Sequence, residues 1–331
     1  MNVRRGPQLG LALLIALSGC ERTPEGTERA ATSPSAPSEP TTSPTVQNIT
    51  PTGAFFLDLR TGEQTPLPST GAKDFGAAVD DGHYYAASPD GSTIYWEDTC
   101  CLAADVAATA SIDGSHGRRL DPPGPINYYA GGWSPDGTKI VYQRRDPRGP
   151  LDGAGARFFG DLVVEDIESG RKTTVELGLG PAVVGFFYLA PTFSSDGRNL
   201  IFNLPRESSS GPKSDLWSVP VAGGERTLLV RNAVQPATSY DGDSYAFARP
   251  LPDGDGSSLM IATPEGFRTL VDRVFGLFEP KMSPDGTRIA YGDEEGSIHV
   301  VDVATGESTE VAVGRMAAWV DNDTLIVAPK T

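Results

Sequence analysis

Histidine and cysteine are scarce in this chain, with three of each among 331 residues. His83, His116 and His299 stand far apart and no two have metal-ligand spacing, so no local motif offers a metal centre. There is no Gly-x-Ser-x-Gly elbow and no glycine-rich phosphate loop, which removes the local signatures of a serine hydrolase and of a nucleotide site. Windows of helical length without a breaker are few, because 38 glycines and 28 prolines are spread along the chain. That distribution argues for an all-β fold. Positive charge is also short: 27 Lys and Arg stand against 43 Asp and Glu, a formal net charge of −16. Such a surface repels phosphate backbones, so nucleic acid is not expected as a partner. The apolar run from Leu9 to Leu17 is too short to remain as a membrane span.

That run instead reads as the core of a secretory signal, residues 1–19, with Arg4 and Arg5 as its positive start. It ends in Leu17-Ser18-Gly19-Cys20, which resembles the lipobox of bacterial lipoproteins. The resemblance implies that the Cys20 thiol carries a diacylglyceryl group; the alternative is ordinary signal cleavage with Cys20 left as a free or paired thiol. Residues 20–48 are rich in Pro, Ser and Thr, have no apolar period and cannot build a core. They read as a disordered tether, spanning roughly 30 Å as a flexible coil. Two acyl chains at Cys20 would give stable anchoring where one would not. The expected location is therefore extracytoplasmic, with a lipid anchor in the cell membrane.

What the chain has in abundance is repetition. Trp133-Ser134-Pro135-Asp136-Gly137 runs into Ile140-Val141-Tyr142. Ser88-Pro89-Asp90-Gly91 and Ser283-Pro284-Asp285-Gly286 are close copies; Ser194-Ser195-Asp196-Gly197 and Ser239-Tyr240-Asp241-Gly242 are looser ones. Ser accepts backbone hydrogen bonds, Pro presets the first corner, Asp suits the second and Gly takes the left-handed position. The following residues alternate and are rich in Ile, Val, Tyr and Phe, as in a strand leaving a hairpin. The carboxylates belong to the turns, so a ring of Asp binding metal is not expected.

A second hairpin follows each of these, as at Asp161–Ile167 with Glu168-Ser169-Gly170, and at Ser297–Val303 with Ala304-Thr305-Gly306. One lone second hairpin, Gly53–Leu59 with Arg60-Thr61-Gly62, opens the region, and one lone first hairpin, Met316–Ala328, closes it. Pairing these fragments completes a blade and removes open edges. The expectation is an all-β, six-bladed β-propeller of four-stranded blades over residues 49–331, its ring closed by N- and C-terminal strands sharing one blade.

These turns, the aromatic in the following strand and the Asp-x-x-Gly hairpins resemble the propeller repeats of TolB and its relatives. The resemblance covers nearly all of residues 49–331 and implies a non-enzymatic module that binds a protein or peptide of the cell envelope. The same repeat occurs in the propellers of prolyl-oligopeptidase-type enzymes, so it specifies fold better than function. The chain departs from TolB in its lipobox and in having no α/β domain between residues 21 and 48.

In a propeller the turns within both hairpins share one face, and the remaining loops share the other. Here the first set is short and uniform, whereas the second is long and individual, which is where binding is expected. Candidate residues on that face are Tyr128, Tyr129, Phe158, Phe159, Phe186, Phe187, Tyr188, Phe275 and Phe278, with Arg144, Arg206 and Arg249 near the ends of second strands. The plainer reading is that the aromatics cover the blade cores and that the arginines pair with neighbours such as Asp146, Glu207 or Asp253. Cys100 and Cys101 lie in one of these loops, where adjacent cysteines outside the cytoplasm can close a vicinal disulfide. No cofactor, metal or catalytic residue is indicated, and a monomer is expected. The competing reading is a propeller hydrolase, lyase or small-ligand sensor using the central mouth; three convergent carboxylates or histidines there would favour it.

Overall fold

A computed structural model describes residues 53–68, 84–98, 106–120, 128–145, 158–177, 189–206 and 213–330. Over these residues the chain consists of strands and turns. Strands β1 (Phe55–Asp58) and β2 (Gln64–Pro66) come first. Blade 1 is β3 (Tyr84–Ala87), β4 (Thr93–Asp98), β5 (Val106–Ser111) and β6 (Arg118–Arg119). Blade 2 is β7 (Tyr128–Trp133), β8 (Lys139–Arg145), β9 (Phe158–Asp166) and β10 (Lys172–Glu176). Blade 3 is β11 (Thr192–Phe193), β12 (Asn199–Arg206), β13 (Lys213–Pro220) and β14 (Thr227–Val230). Blade 4 is β15 (Val234–Thr238), β16 (Tyr245–Pro250), β17 (Ser257–Thr263) and β18 (Gly266–Val274). Blade 5 is β19 (Phe278–Met282), β20 (Arg288–Gly292), β21 (Ser297–Asp302) and β22 (Ser308–Val313). The chain closes with β23 (Met316–Trp319) and β24 (Thr324–Ala328), which join β1 and β2 in the order β2-β1-β24-β23 as blade 6.

The expected six-bladed ring with one shared blade is therefore the observed fold. Its closure is a ladder in which Phe55 faces Val327 and Asp58 faces Thr324. The first strands of successive blades touch in a ring around the axis. The aromatics predicted in second strands fill the spaces between sheets: Trp96, Tyr142, Phe202, Phe247 and Tyr291 are all buried. Each buries one of the largest apolar areas available to a side chain, so these five positions weigh heavily in packing the ring.

The turn motif works as its composition suggests, with one addition. In four turns the Ser hydroxyl donates to the Asp carboxylate at 2.6 Å, at Ser88–Asp90, Ser134–Asp136, Ser194–Asp196 and Ser283–Asp285. The same Ser oxygen accepts the amide of Thr93, Lys139, Asn199 or Arg288 at 2.9–3.0 Å. Gly91, Gly137, Gly197 and Gly286 adopt φ between +68° and +72°. Hydrogen bonds from Ser88 and from Ser194 hold the Asp90 and Asp196 carboxyls below the ordinary range. At Asp136 burial pushes the other way, but bonds from Ser134 and Thr138 prevail and bring the carboxyl down to about 2. These carboxylates are committed to their turns, and among the described residues no three His, Cys, Asp or Glu side chains could hold a metal ion.

The turns also stack on one another. A Cβ on Gly137 would lie 3.5 Å from Pro89, one on Gly197 would lie 3.5 Å from Pro135, and one on Gly91 would lie 2.8 Å from the Val320 carbonyl. These three turns thus rest on their predecessors in the ring. Strand Trp side chains bind the same neighbours: Trp133 Nε1 donates to Ala86 O at 3.0 Å and Trp319 Nε1 to Lys281 O at 2.9 Å.

Candidate functional site

Strand direction places the candidate residues at one end of the ring, opposite the stacked turns. Several of them are in strands rather than loops. Tyr128 and Tyr129 begin β7, Arg144 is near the end of β8, and Phe158 and Phe159 begin β9. The ladder extends farther than alternation suggested, because Tyr128 pairs with Arg144 and Phe158 with Arg145. The backbone of blade 2 therefore gathers aromatic and basic positions at its loop end. Phe186, Phe187, Tyr188, Cys100, Cys101 and Cys20 lie outside the described residues.

Several described candidates have partners within the strands and their connections. Arg206 bonds to Asp215 at 2.7 Å; Arg231 at 3.3 Å and the Asn232 amide at 2.8 Å complete the shell of this buried aspartate, while Asp146 and Glu207 lie outside the described residues. Asp253 pairs with Arg273 at 2.6 Å, leaving Arg249 to lie over Phe247 and Phe267, 5.3 and 5.7 Å from their ring centroids. Phe275 is 43% exposed on the connection between blades 4 and 5, beneath the Arg273 guanidinium at 5.7 Å. Phe278 opens β19 with Arg315 at 5.6 Å. Arginine over an aromatic face is thus a recurring device on this part of the molecule, contributing ~0.5–1 kcal/mol where exposed.

Within the ring runs a narrow channel that sequence reasoning did not populate. It encloses about 70 Å³ and is lined by the first strands of all six blades. Lys281 Nζ donates to Tyr84 Oη at 2.6 Å and lies 3.2 Å from Glu279. Tyr84 Oη in turn donates to Gly131 O at 2.7 Å. Burial first, then the nearby Glu279 and Glu97 carboxylates, push the Tyr84 phenol well above its ordinary range, so it stays a neutral donor. Ala190, Gln235 and Glu279, each just before a proline, have positive φ of 43°, 54° and 46°. This conformation costs an L-residue about 1–2 kcal/mol, and it bulges the inner strands of blades 4 and 5, where the pairing register slips. The repeated X-Pro step, at Ala190-Pro191, Gln235-Pro236 and Glu279-Pro280, was the available sequence signal for these positions.

The channel is floored by the loosest copy of the turn. Tyr240 stands where other copies have Pro or Ser, and its hydroxyl donates to Ala87 O at 3.0 Å. Blades 4 and 1 face each other across the ring, so this single side chain crosses the axis at the turn end. At ~10–15 Å³ per water the channel has room for about five waters, far below the roughly 300–1,000 Å³ of pockets that bury drug-sized ligands. It contains one carboxylate, Glu279, which is paired with Lys281, and no histidine among its lining residues.

Fold and channel together define a closed, six-bladed β-propeller. TolB from Acinetobacter baumannii is similar to this chain, with 14% identity and a TM-score of 0.55, covering 83% of this chain and 63% of that one. The chain thus spans less than two thirds of that protein's length. The β-propeller domain of the trilobed protease from Pyrococcus furiosus aligns at 14% identity and a TM-score of 0.47, over 73% of this chain and 74% of that one. An acylaminoacyl peptidase from Pyrococcus horikoshii aligns at 14% identity and 0.48, over 73% and 40%. At these identities the likeness is one of fold. No protein-family model and no curated protein matches the sequence.

Proposed function

We propose that this chain is a membrane-tethered, extracytoplasmic propeller that holds a protein or peptide partner of the cell envelope on its loop face, without catalysing a reaction. The observation that carries this reading is the division of labour between the two candidate sites. The loop end gathers aromatic and basic positions, with Tyr128 opposite Arg144 and Phe275 open beside Arg273. The channel holds about 70 Å³, floored by Tyr240 and crossed by the Lys281–Tyr84 bond, which leaves little space for a substrate. Exposed aromatics with arginine are typical anchors of protein interfaces. The Cys20 lipobox and the tether of residues 20–48 support attachment to a membrane outside the cytoplasm.

The test is recovery of bound partners from solubilised membranes with wild type and with the triple variant Tyr128→Ala, Phe187→Ala, Phe275→Ala. A stable envelope partner lost in the variant is expected. An unchanged partner set would overturn the assignment of the face. In parallel, Cys20→Ala should move the protein from the membrane to the soluble fraction.

A further inference from the structure

The stacked ring of turns is broken once, between blades 3 and 4. The blade 4 turn lacks both backbone bonds that close the turns at Ser88, Ser134, Ser194 and Ser283, such as Gly137 N to Ser134 O at 2.8 Å and Ser134 N to Lys139 O at 2.8 Å. Its Ser239 hydroxyl bonds to the Asp241 carbonyl instead of a carboxylate. The cause is Tyr240, which is drawn under the channel by its bond to Ala87 and takes the turn with it. On the blade 3 side Ser195 replaces the proline on which the next glycine would rest. A Cβ on Gly242 accordingly meets nothing within 4 Å.

The gap is a pocket of about 230 Å³. Its walls carry the Asn199 carboxamide, the Ser218 hydroxyl and the Asp243 carboxylate, which make no side-chain hydrogen bond among the described residues. Asp196 faces the same space. It lacks the hydroxyl donor that Ser92, Thr138 or Thr287 supplies in the other turns, because Arg198 stands there. The apolar part is Ile201, Leu229 and the half-buried Tyr245 ring. No Lys, Arg or His is among the lining residues, so an anion is disfavoured by the two carboxylates.

We propose that this gap on the turn face is a binding site for a neutral or amino-bearing pyranose ring. Carboxylate, carboxamide and hydroxyl groups match the mixed donor and acceptor pattern of sugar hydroxyls, and the apolar floor suits the C–H face of the ring. The site is on the opposite face from the proposed partner surface and does not depend on it.

The probes are glucose, N-acetylglucosamine and glucosamine, with glucuronate as the excluded anion, each titrated by isothermal calorimetry and ligand-observed NMR. Saturable binding of at least one of the three, and none of glucuronate, is expected. Asn199→Ala and Asp243→Ala should each weaken that binding about tenfold, the loss of one good hydrogen bond. Ser195→Pro restores the usual turn and should abolish binding while leaving the thermal midpoint unchanged or higher, so loss of fold cannot mimic the result. The triple loop-face variant should bind sugar as wild type does. No saturable binding of any of the three sugars, or binding unchanged by Ser195→Pro and Asp243→Ala, would overturn the proposal.

Discussion

Tyr240 makes the most discriminating test of how this ring is held together. Its ring packs under the channel and its hydroxyl reaches Ala87 in the opposite blade at 3.0 Å. Tyr240→Phe keeps the ring and deletes that bond, which should cost about 1 kcal/mol. In a domain of this size that corresponds to a fall of ~2–4 °C in the thermal midpoint. Tyr240→Ala also removes the ring. Full burial of an aromatic gives a loss of ~3–5 kcal/mol, and the partial burial of Tyr240 brings this to about 2–3. Tyr240→Pro loses the same contacts but restores the residue that the turn prefers, which recovers ~0.4–1 kcal/mol through the unfolded chain. The expected order of stability is therefore wild type, Phe, Pro, Ala. Equilibrium urea unfolding followed by tryptophan fluorescence reads it, with refolding checked first because large domains often unfold irreversibly. If Tyr240→Phe matches wild type within about 0.3 kcal/mol and Tyr240→Ala costs less than ~1, the cross-ring bond contributes nothing and the channel floor has been misread.

Other perturbations address other parts of the ring. Gly131→Ala would place a Cβ 1.4 Å from the Val141 carbonyl, so the variant should fail to fold or accumulate as aggregate, as judged by soluble yield and circular dichroism. Asp215 is 1% exposed and has two arginine partners; Arg206→Ala should cost about 1–2 kcal/mol, whereas removing Arg206 and Arg231 together should cost ~3–5, because the carboxylate is then buried unpaired. A double-mutant cycle by urea unfolding measures this, and simple additivity would count against a shared site. The turn carboxylates set the acid limb. Asp90, Asp136, Asp196 and Asp285 have folded-state values below those of the unfolded chain, so their stabilisation is present above about pH 4 and is lost as pH falls toward 2. Urea midpoints should drop through that window, and Asp136→Asn should flatten part of the drop; a flat wild-type profile between pH 5 and about 2 would contradict the turn geometry.

What could be read in the sequence was what local chemistry decides. The Ser-Pro-Asp-Gly turn contains its own hydrogen-bond partners, so its meaning survives without the rest of the fold. The two orphan hairpins at 53–67 and 316–328 were legible for the same reason, since each lacks half a blade. The site was harder because its contacts depend on closure. Lys281 and Tyr84 are 197 residues apart and meet only when blades 5 and 1 are brought round the axis. Proximity in sequence points Arg206 to loop acids, whereas its observed partner Asp215 is a diagonal neighbour across the β12–β13 ladder, a relation fixed only once Arg206 is set opposite Lys213. Phe158 read as loop because no alternation marks the start of β9; its pairing with Arg145 extends the strand regardless. Tyr240 was visible as a departure from the motif, yet nothing local says that a ring in place of a proline would reach across the molecule.

The shared blade imposes an order of events on synthesis. Translation delivers β1 and β2 before any other strand of the ring, and β24, which covers β1, after all the rest. Phe55 and Leu57, both buried in the finished protein, must wait with an unpaired edge while some 260 residues are added. Joining ends that far apart carries a loop-closure cost of about 5 kcal/mol, and it is met only when neighbouring blades have already stacked. The nascent chain is therefore a crescent with a sticky first hairpin until its last strand arrives. Premature release, or truncation just short of Thr324, would leave that crescent open rather than merely shorten the protein.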